Sequence, residues 1–417
     1  MAAQPGDPQR SVLILNDEWG TAKGGISTIH REISVVLAKE TGVDVYSTVL
    51  EAGDVDKADA QQKGITLITP NINPLLSPEE KTPRLSWLIL HKSFFPDLVN
   101  LPNVKVIIGH APITNEIAIQ IQEAFPNAKV CLFNHVIPED IEAFKDTWTP
   151  QRVQERERKI QDSAGKATVV FSVGPRMFDH FNNKFRALKP APLHMQYLPR
   201  PSQNFFDVQM QNLPEIKTMR VITFGRIRGV EKLKGYDLVA AALSEVARAY
   251  HDVFESAPVW VIRGIPENEH KDTKTFLDKH ITHGHLDVKQ YPYGSQDDII
   301  VDLQQSHLCI MASRTEPFGL VGLEAIAAGI PTLVTKHSGL AQYLEKQFPL
   351  LAQSMVVDVG INDYSKKDDI KQWRQEIIRV LRGYNVAFKR AQDLKQELEN
   401  CSAALESHER FKEIISQ

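Results

Sequence analysis

Glu316 and Glu324 stand at the two ends of EPFGLVGLE, with seven residues between them. The apolar run HLCIMAS (307–313) before them reads as a buried strand, RTEPFG as a turn, and a small-residue helix is expected to start near Leu320 and stop at Gly329, ahead of Pro331. At such a start the backbone N–H groups of Phe318, Gly319 and Leu320 have no intrahelical partner, which makes an anion site suited to phosphate. A carboxylate beside a phosphate repels it. The two glutamates are therefore expected to accept hydrogen bonds from hydroxyls, and sugars and riboses carry them.

Two histidines also follow apolar runs, His110 in VIIGHAP and His135 in CLFNHVIPED. Both fall at strand carboxyl ends, where an open α/β sheet places its ligands. By contrast, His280, His283 and His285 lack a cysteine or carboxylate framework and read as an exposed loop, not a metal site. Asp297 and Asp298 read as the first turn of a helix, where carboxylates favour the dipole.

The elements that must hold these residues alternate along the chain. SVLILN (11–16) predicts a buried strand, a polar glycine loop follows, and Ile26, Ile29, Ile33 and Leu37 keep helical spacing until Gly42. Further strands are expected at VDVYSTV, GITLIT (64–69), VKVIIG (104–109), AKVCLFN (128–134), ATVVFSV (167–173) and LHMQYL (193–198). After a proline-rich, aperiodic stretch the alternation restarts at MRVITFG (219–225), VWVIRG (259–264), VKQYPY (288–293), HLCIMAS, IPTLVTK (330–336) and SMVVDV (354–359), and charged helices run from about residue 367 to the end. This pattern predicts an α/β protein of two Rossmann-like, doubly wound domains facing across a cleft. The expected boundaries are a disordered leader at 1–10, an N-terminal domain at 11–200, a linker at 201–218, a C-terminal domain at 219–390, and helices at 391–417 that return to the N-terminal domain.

At 417 residues the chain exceeds what one hydrophobic core usually serves, in keeping with two domains. A formal net charge of −4 gives no basic footprint for nucleic acid. Cys131, Cys309 and Cys401 are far apart and odd in number, which suits a reducing compartment, and no apolar run reaches the length of a membrane span. A cytoplasmic location is expected.

The motifs resemble those of the retaining glycosyltransferases with the GT-B fold, especially family 4 and the related glycogen and sucrose synthases. EPFGLVGLE fits the family's pattern of glutamate, seven residues, glutamate, with its accompanying proline, phenylalanine and glycine. The resemblance implies that Glu316 contacts hydroxyls of a donor sugar and that Glu324 holds the ribose hydroxyls of its nucleotide. FGRIRGVEKLKGYDL supplies a second family element, in which Arg226 and Lys234 stabilise the departing diphosphate without a metal or other cofactor. Extra residues separate this arginine and lysine relative to the family pattern, so Lys232 competes with Lys234. The resemblance further implies that Gly24 and Gly25, in NDEWGTAKGGIST, let backbone approach the donor phosphates; Asp17, Glu18 and Trp19 in the same loop are candidates to touch the acceptor, which the family does not specify. It places His135 beside the donor sugar and makes His110 a second candidate contact. Arg263, with the YPYG loop, occupies the nucleobase region, and Arg176 in SVGPRMF is a candidate for a phosphate of donor or acceptor.

The implied activity is transfer of a hexosyl unit from a nucleoside diphosphate sugar, UDP-glucose or a related UDP-sugar, to a hydroxyl acceptor. The alternatives are a phosphorylase on the same fold, which has no use for the ribose clamp at Glu324, and a nucleotide-sugar-binding scaffold without turnover. A dinucleotide-dependent oxidoreductase fits worst, because neither half carries the glycine fingerprint.

Overall fold

Strands buried along nearly their whole length need cover on both faces, and the apolar runs of this chain receive it. The structure, a computed structural model, describes residues 9–20, 24–72, 81–144, 149–209, 218–249, 256, 258–283, 286–361 and 366–416. Most of the leader, much of the linker and His285 lie outside them.

The N-terminal sheet has seven strands: β1 (Arg10–Leu15), β2 (Val43–Thr48), β3 (Ile65–Ile68), β4 (Val104–Ala111), β5 (Lys129–Asn134), β6 (Val169–Val173) and β7 (Leu193–Tyr197). They lie in the order β3-β2-β1-β4-β5-β6-β7, all parallel. The C-terminal sheet has six: β8 (Arg220–Phe224), β9 (Val259–Arg263), β10 (Asp287–Tyr291), β11 (Leu308–Met311), β12 (Thr332–Thr335) and β13 (Val356–Val357), in the order β10-β9-β8-β11-β12-β13, again all parallel. Each expected strand is present, and both sheets are doubly wound. Strand order reverses between β1 and β4 in one sheet and between β8 and β11 in the other, and ligands of such sheets bind at that reversal, beyond the carboxyl ends.

The Leu320–Ala327 helix starts where the apolar pattern places it, and the Tyr236–Arg248 helix follows Gly235. Gly235 has φ +68°, and a Cβ there would stand 2.0 Å from the carbonyl oxygen of Ala312. No other residue allows that approach, so the helix start is pressed against the end of β11.

The two halves share apolar surface. Phe318 is 4% exposed and inserts from the C-terminal domain against Gly174, where a Cβ would meet its ring at 2.4 Å. Burying such a ring contributes about 2 kcal/mol, and removing it costs about 3–5. The last helix, Ser402–Ser416, lies on the N-terminal sheet: Phe411 meets Phe133, Phe171 and Tyr197 edge-on, and Lys412 pairs with Glu40 at 3.2 Å. The helix before it, Tyr384–Glu399, packs instead on Leu320–Ala327 of the C-terminal domain. Among the described residues no helix is long and apolar enough to cross a membrane.

Candidate active site

Between the carboxyl ends of the two sheets lies a cleft of about 600 Å³. Its N-terminal wall carries Asp17, Glu18, Gly24, Gly25 and His135; its C-terminal wall carries Arg226, Lys234, Arg263, Glu316, Phe318, Gly319, Leu320 and Glu324. Residues more than 300 positions apart thus meet because both sheets reverse there. A second cavity, of about 280 Å³ between Ile326, Leu351 and Ala391, holds none of these motif residues.

On the C-terminal wall, Lys234 Nζ donates to Glu316 Oε2 at 2.6 Å, and Ser313 Oγ donates to the same oxygen at 3.0 Å. The turn that presents Glu316 is fixed from behind by Arg314, which grips Asp237 with two bonds of 2.8 and 2.9 Å and donates to the carbonyl of Lys232 at 2.5 Å. Its backbone N–H also reaches Leu233 at 2.8 Å. Arg314 and Asp237 are both nearly fully buried, and Lys366 adds a third charge 2.7 Å from Asp237. Burial alone would raise the Asp237 carboxyl, but Arg314 and then Lys366 hold it at about 2. The buried Arg314–Asp237 pair, with the partly exposed Lys366, ties the lysine turn to the glutamate turn. Lys234 lines the cleft, whereas the carbonyl of Lys232 is spent on Arg314. Arg226 is exposed at the rim.

Glu324 is nearly buried at the base of the same wall. Burial first, and the charge of Glu32 second, push its carboxyl up to about 8. Glu32 is held by Tyr197, by the N–H of Arg200 and by His408, at 3.0 to 3.1 Å.

On the N-terminal wall only one of the two expected histidines reaches the cleft. His135 lines it, while His110 is fully buried one ring behind, with its Nδ1 2.8 Å from His135 Nε2. The contact expected for His110 is therefore made to other rings. His110 Nε2 lies 3.1 Å from Nδ1 of His30, and His30 Nε2 lies 2.7 Å from Ser47 Oγ. Burial drives all three imidazoles to the neutral form, His110 to about 3 and the others well below the usual range.

Three other candidates are held by partners of their own. Trp19 is buried, its indole N–H bonded to Asp59 at 2.9 Å, because its ring serves the core beside His30. Arg176 bridges the domains, donating to Asp140 at 2.7 Å and to Thr315 Oγ1 at 3.0 Å. Arg263 lines the cleft but its guanidinium is occupied by Asp302 and by the Pro292 carbonyl, over the ring of Tyr291. Asp298 closes a capping box with Ser295, and His283 is exposed while His280 is half-buried. Among the described residues no group of three His, Cys, Asp or Glu is placed to hold a metal.

His30, Ser47, Arg314 and Asp237 escaped the motif reading. His30 left a trace, since it is a polar residue inside the apolar stripe Ile26, Ile29, Ile33, Leu37. Ser47 and Arg314 left none, because strand alternation and a charged turn are both ordinary.

Comparison with known proteins bears on this geometry. The description "Family 4 Glycosyltransferase in conflict systems" matches residues 13–406. Among curated proteins, mannosylfructose-phosphate synthase of Agrobacterium fabrum is 42% identical over 48 residues, 12% of this chain and 11% of that protein. An uncharacterized glycosyltransferase of Sulfolobus islandicus rod-shaped virus 1 is 25% identical over 153 residues, 37% of this chain and 42% of that protein. These matches span less than half of either relative. Solved structures match throughout: sucrose-phosphate synthase from Thermosynechococcus elongatus has a TM-score of 0.71 at 16% identity, over 98% of this chain and 99% of that one. The Anabaena protein HepE, solved with UDP and glucose, has a TM-score of 0.66 at 14% identity over 98% and 99%. At such identities the likeness is one of fold.

Proposed function

The chain belongs to the family 4 glycosyltransferases in conflict systems, and from that premise we propose that it transfers a hexosyl group from a nucleoside diphosphate sugar, UDP-glucose or a related UDP-sugar, to a hydroxyl acceptor with retention of configuration. Its two doubly wound domains form the GT-B fold. The observation that carries the proposal is the Lys234–Glu316 contact of 2.6 Å, set by the buried Arg314–Asp237 pair at the start of an α-helix and facing a glycine loop across the cleft. A cation for a diphosphate and a carboxylate for sugar hydroxyls are thereby held side by side, where the two halves of such a donor join.

In the proposed reaction the acceptor oxygen bonds to the anomeric carbon on the face from which the diphosphate leaves. The bond from that carbon to the phosphate oxygen breaks, and the acceptor's proton passes to the departing phosphate. Lys234 and Arg226 offset the charge that grows on the diphosphate, aided by the N–H groups of Gly319 and Leu320, and the step as written needs no metal. Glu316 accepts from sugar hydroxyls, Glu324 from ribose hydroxyls, and His135 meets the sugar from the opposite wall. The acceptor lies toward Asp17 and Glu18. Closure of the two walls would keep water from the donor.

The test is thermal stabilisation by UDP, GDP, ADP and TDP, each with and without its glucose, in the protein and in Glu324→Ala. Selective stabilisation by the uridine pair, weakened in the variant, is the expected result; no shift with any nucleotide in a folded protein sinks the proposal. Release of glucose from UDP-glucose would then show turnover, which a binding scaffold lacks.

A further inference from the structure

Behind His135 the fold builds a chain of three imidazoles and a hydroxyl, drawn from four elements. Ser47 comes from β2, His30 from the Gly25–Ala38 helix, His110 from the end of β4 and His135 from just past β5. Ser47, His30 and His110 are each 0% exposed, and only His135 lines the cleft. His30 and His110 use their two nitrogens in the same sense, Nε2 back toward Ser47 and Nδ1 forward, and His135 likewise turns its Nε2 back toward His110. Thus Ser47 Oγ meets His30 Nε2 at 2.7 Å, His30 Nδ1 meets His110 Nε2 at 3.1 Å, and His110 Nδ1 meets His135 Nε2 at 2.8 Å.

This arrangement restricts the protons. A neutral imidazole carries one N–H, and every ring-to-ring bond needs one donor and one acceptor. With a consistent order of nitrogens along the chain, all three rings must carry the proton on Nδ1 or all three on Nε2. Any mixture of neutral tautomers sets two lone pairs or two N–H groups against each other in a site closed to water. A charged ring would satisfy both neighbours only at the cost of a buried cation, and burial disfavours it.

Ser47 selects between the two states. Its hydroxyl hydrogen is sealed from water and must find an acceptor inside the fold, and His30 Nε2 lies 2.7 Å away. The other partner open to the hydroxyl hydrogen, the Thr48 carbonyl oxygen, is 3.5 Å away. With Ser47 donating, His30 Nδ1–H donates to His110, and His110 Nδ1–H donates to His135. The proton of His135 then sits on Nδ1, the nitrogen outside the chain.

We propose that Ser47, His30 and His110 are positioning residues that lock His135 into its Nδ1–H tautomer, so that it presents a neutral hydrogen-bond donor to the cleft. The inference rests on the proposed function, in which His135 meets the donor sugar. It assigns His135 the work of donating to an oxygen of that sugar rather than accepting a proton, and it makes the chain a dead end for protons because Ser47 is sealed.

The experiment is nitrogen-15 NMR of the full chain labelled at histidine, with ring nitrogens of His30, His110 and His135 distinguished by their two-bond couplings to ring protons. All three rings should show a protonated Nδ1 and an unprotonated Nε2. Opposite or mixed tautomers, or any charged ring at neutral pH, would overturn the proposal. In Ser47→Ala a second His135 tautomer should appear, three hydrogen bonds from the altered residue, and Ser47→Thr should restore the single one. An unchanged His135 in a folded Ser47→Ala would also overturn it, leaving Ser47 a packing residue; if that variant does not fold, the unaltered protein still decides. The expected tautomers without nucleotide stabilisation would sink the donor reading and leave the tautomer lock standing, and the reverse result would sink the lock alone.

Discussion

The two walls of the cleft come from sheets of like topology, yet the C-terminal one brings both cations and carboxylates to the cleft, whereas the N-terminal one brings a neutral imidazole beside Asp17 and Glu18. The C-terminal wall is built from charges, with Lys234 against Glu316, Arg226 at the rim and Arg314, Asp237 and Lys366 behind them. The N-terminal wall offers His135 backed by rings that burial keeps neutral. A donor with a charged end and a hydroxyl-rich end matches such a division. In the proposed function the cations stand where a diphosphate would depart, and the sugar would rest between Glu316 and the neutral imidazole of His135. A like fold thus serves two tasks because each strand-end loop has its own residues.

The largest expected effect breaks the charged wall. Lys234→Ala should lower kcat/KM for transfer or donor hydrolysis roughly 1,000-fold, as expected for losing a preorganised charge at a leaving group. Lys232→Ala should change it less than about threefold, the scale of a surface charge. Equal losses in the two would mean that the cleft pairing of Lys234 is not what matters.

Next comes the neutral wall. His135→Ala should lower kcat roughly 100-fold while UDP alone still stabilises the protein as before, because in the proposed function the ring meets the sugar and not the nucleotide. A loss of UDP binding in that variant would erase the proposed division between the walls.

The support of the charged wall gives a smaller effect, read as stability. Arg314→Met leaves Asp237 with only Lys366 and should cost about 3 kcal/mol; Arg314→Met with Asp237→Leu should recover most of it. Denaturant unfolding measures both. The pH sign follows from the depressed Asp237 carboxyl: its contribution is present above the usual 3.8 and is lost as pH falls toward about 2. If the double variant is no better than the single one, the triad is not acting as a unit.

The charged wall was far more legible in the sequence than the neutral one, and the reason is physical. Glu316, Glu324 and Lys234 sit on a turn and helix starts, where local spacing and glycine requirements mark them. The thirteen strands of the described residues were legible too: the central ones, such as β1 and β6, are buried apolar runs, and the others fell between glycine-bearing turns and helical patterns. The histidine chain assembles across β2, β4, the loop after β5 and a helix, so its members are far apart in sequence and each alone looks ordinary. The same holds for Arg314 and Asp237, whose pairing depends on how closely Gly235 lets one loop approach the other.

Glu324 provides the finest test of the comparison, because it is a nearly neutral group on the charged wall. Burial and then Glu32 lift its carboxyl from the ordinary 4.5 to about 8. Between those values the folded protein holds a proton that the unfolded chain has released, so stability should fall as pH rises through that window and level off above it. Glu324→Gln keeps the shape and hydrogen-bonding atoms of the protonated acid but cannot ionise. Its melting temperature should match the parent near pH 4.5 and exceed it by roughly 5 °C near pH 9, since a tenfold weakening of the acid on folding corresponds to about 1.4 kcal/mol. If ribose hydroxyls donate to the carboxylate, UDP binding should do the opposite in the parent, strengthening as pH rises past about 8, while the variant shows no such gain. Parallel stability curves for the two proteins would show that Glu324 is ionised throughout that window. A variant that is both more stable and a poorer nucleotide binder would show that the fold gives up stability at this carboxylate to hold its ligand.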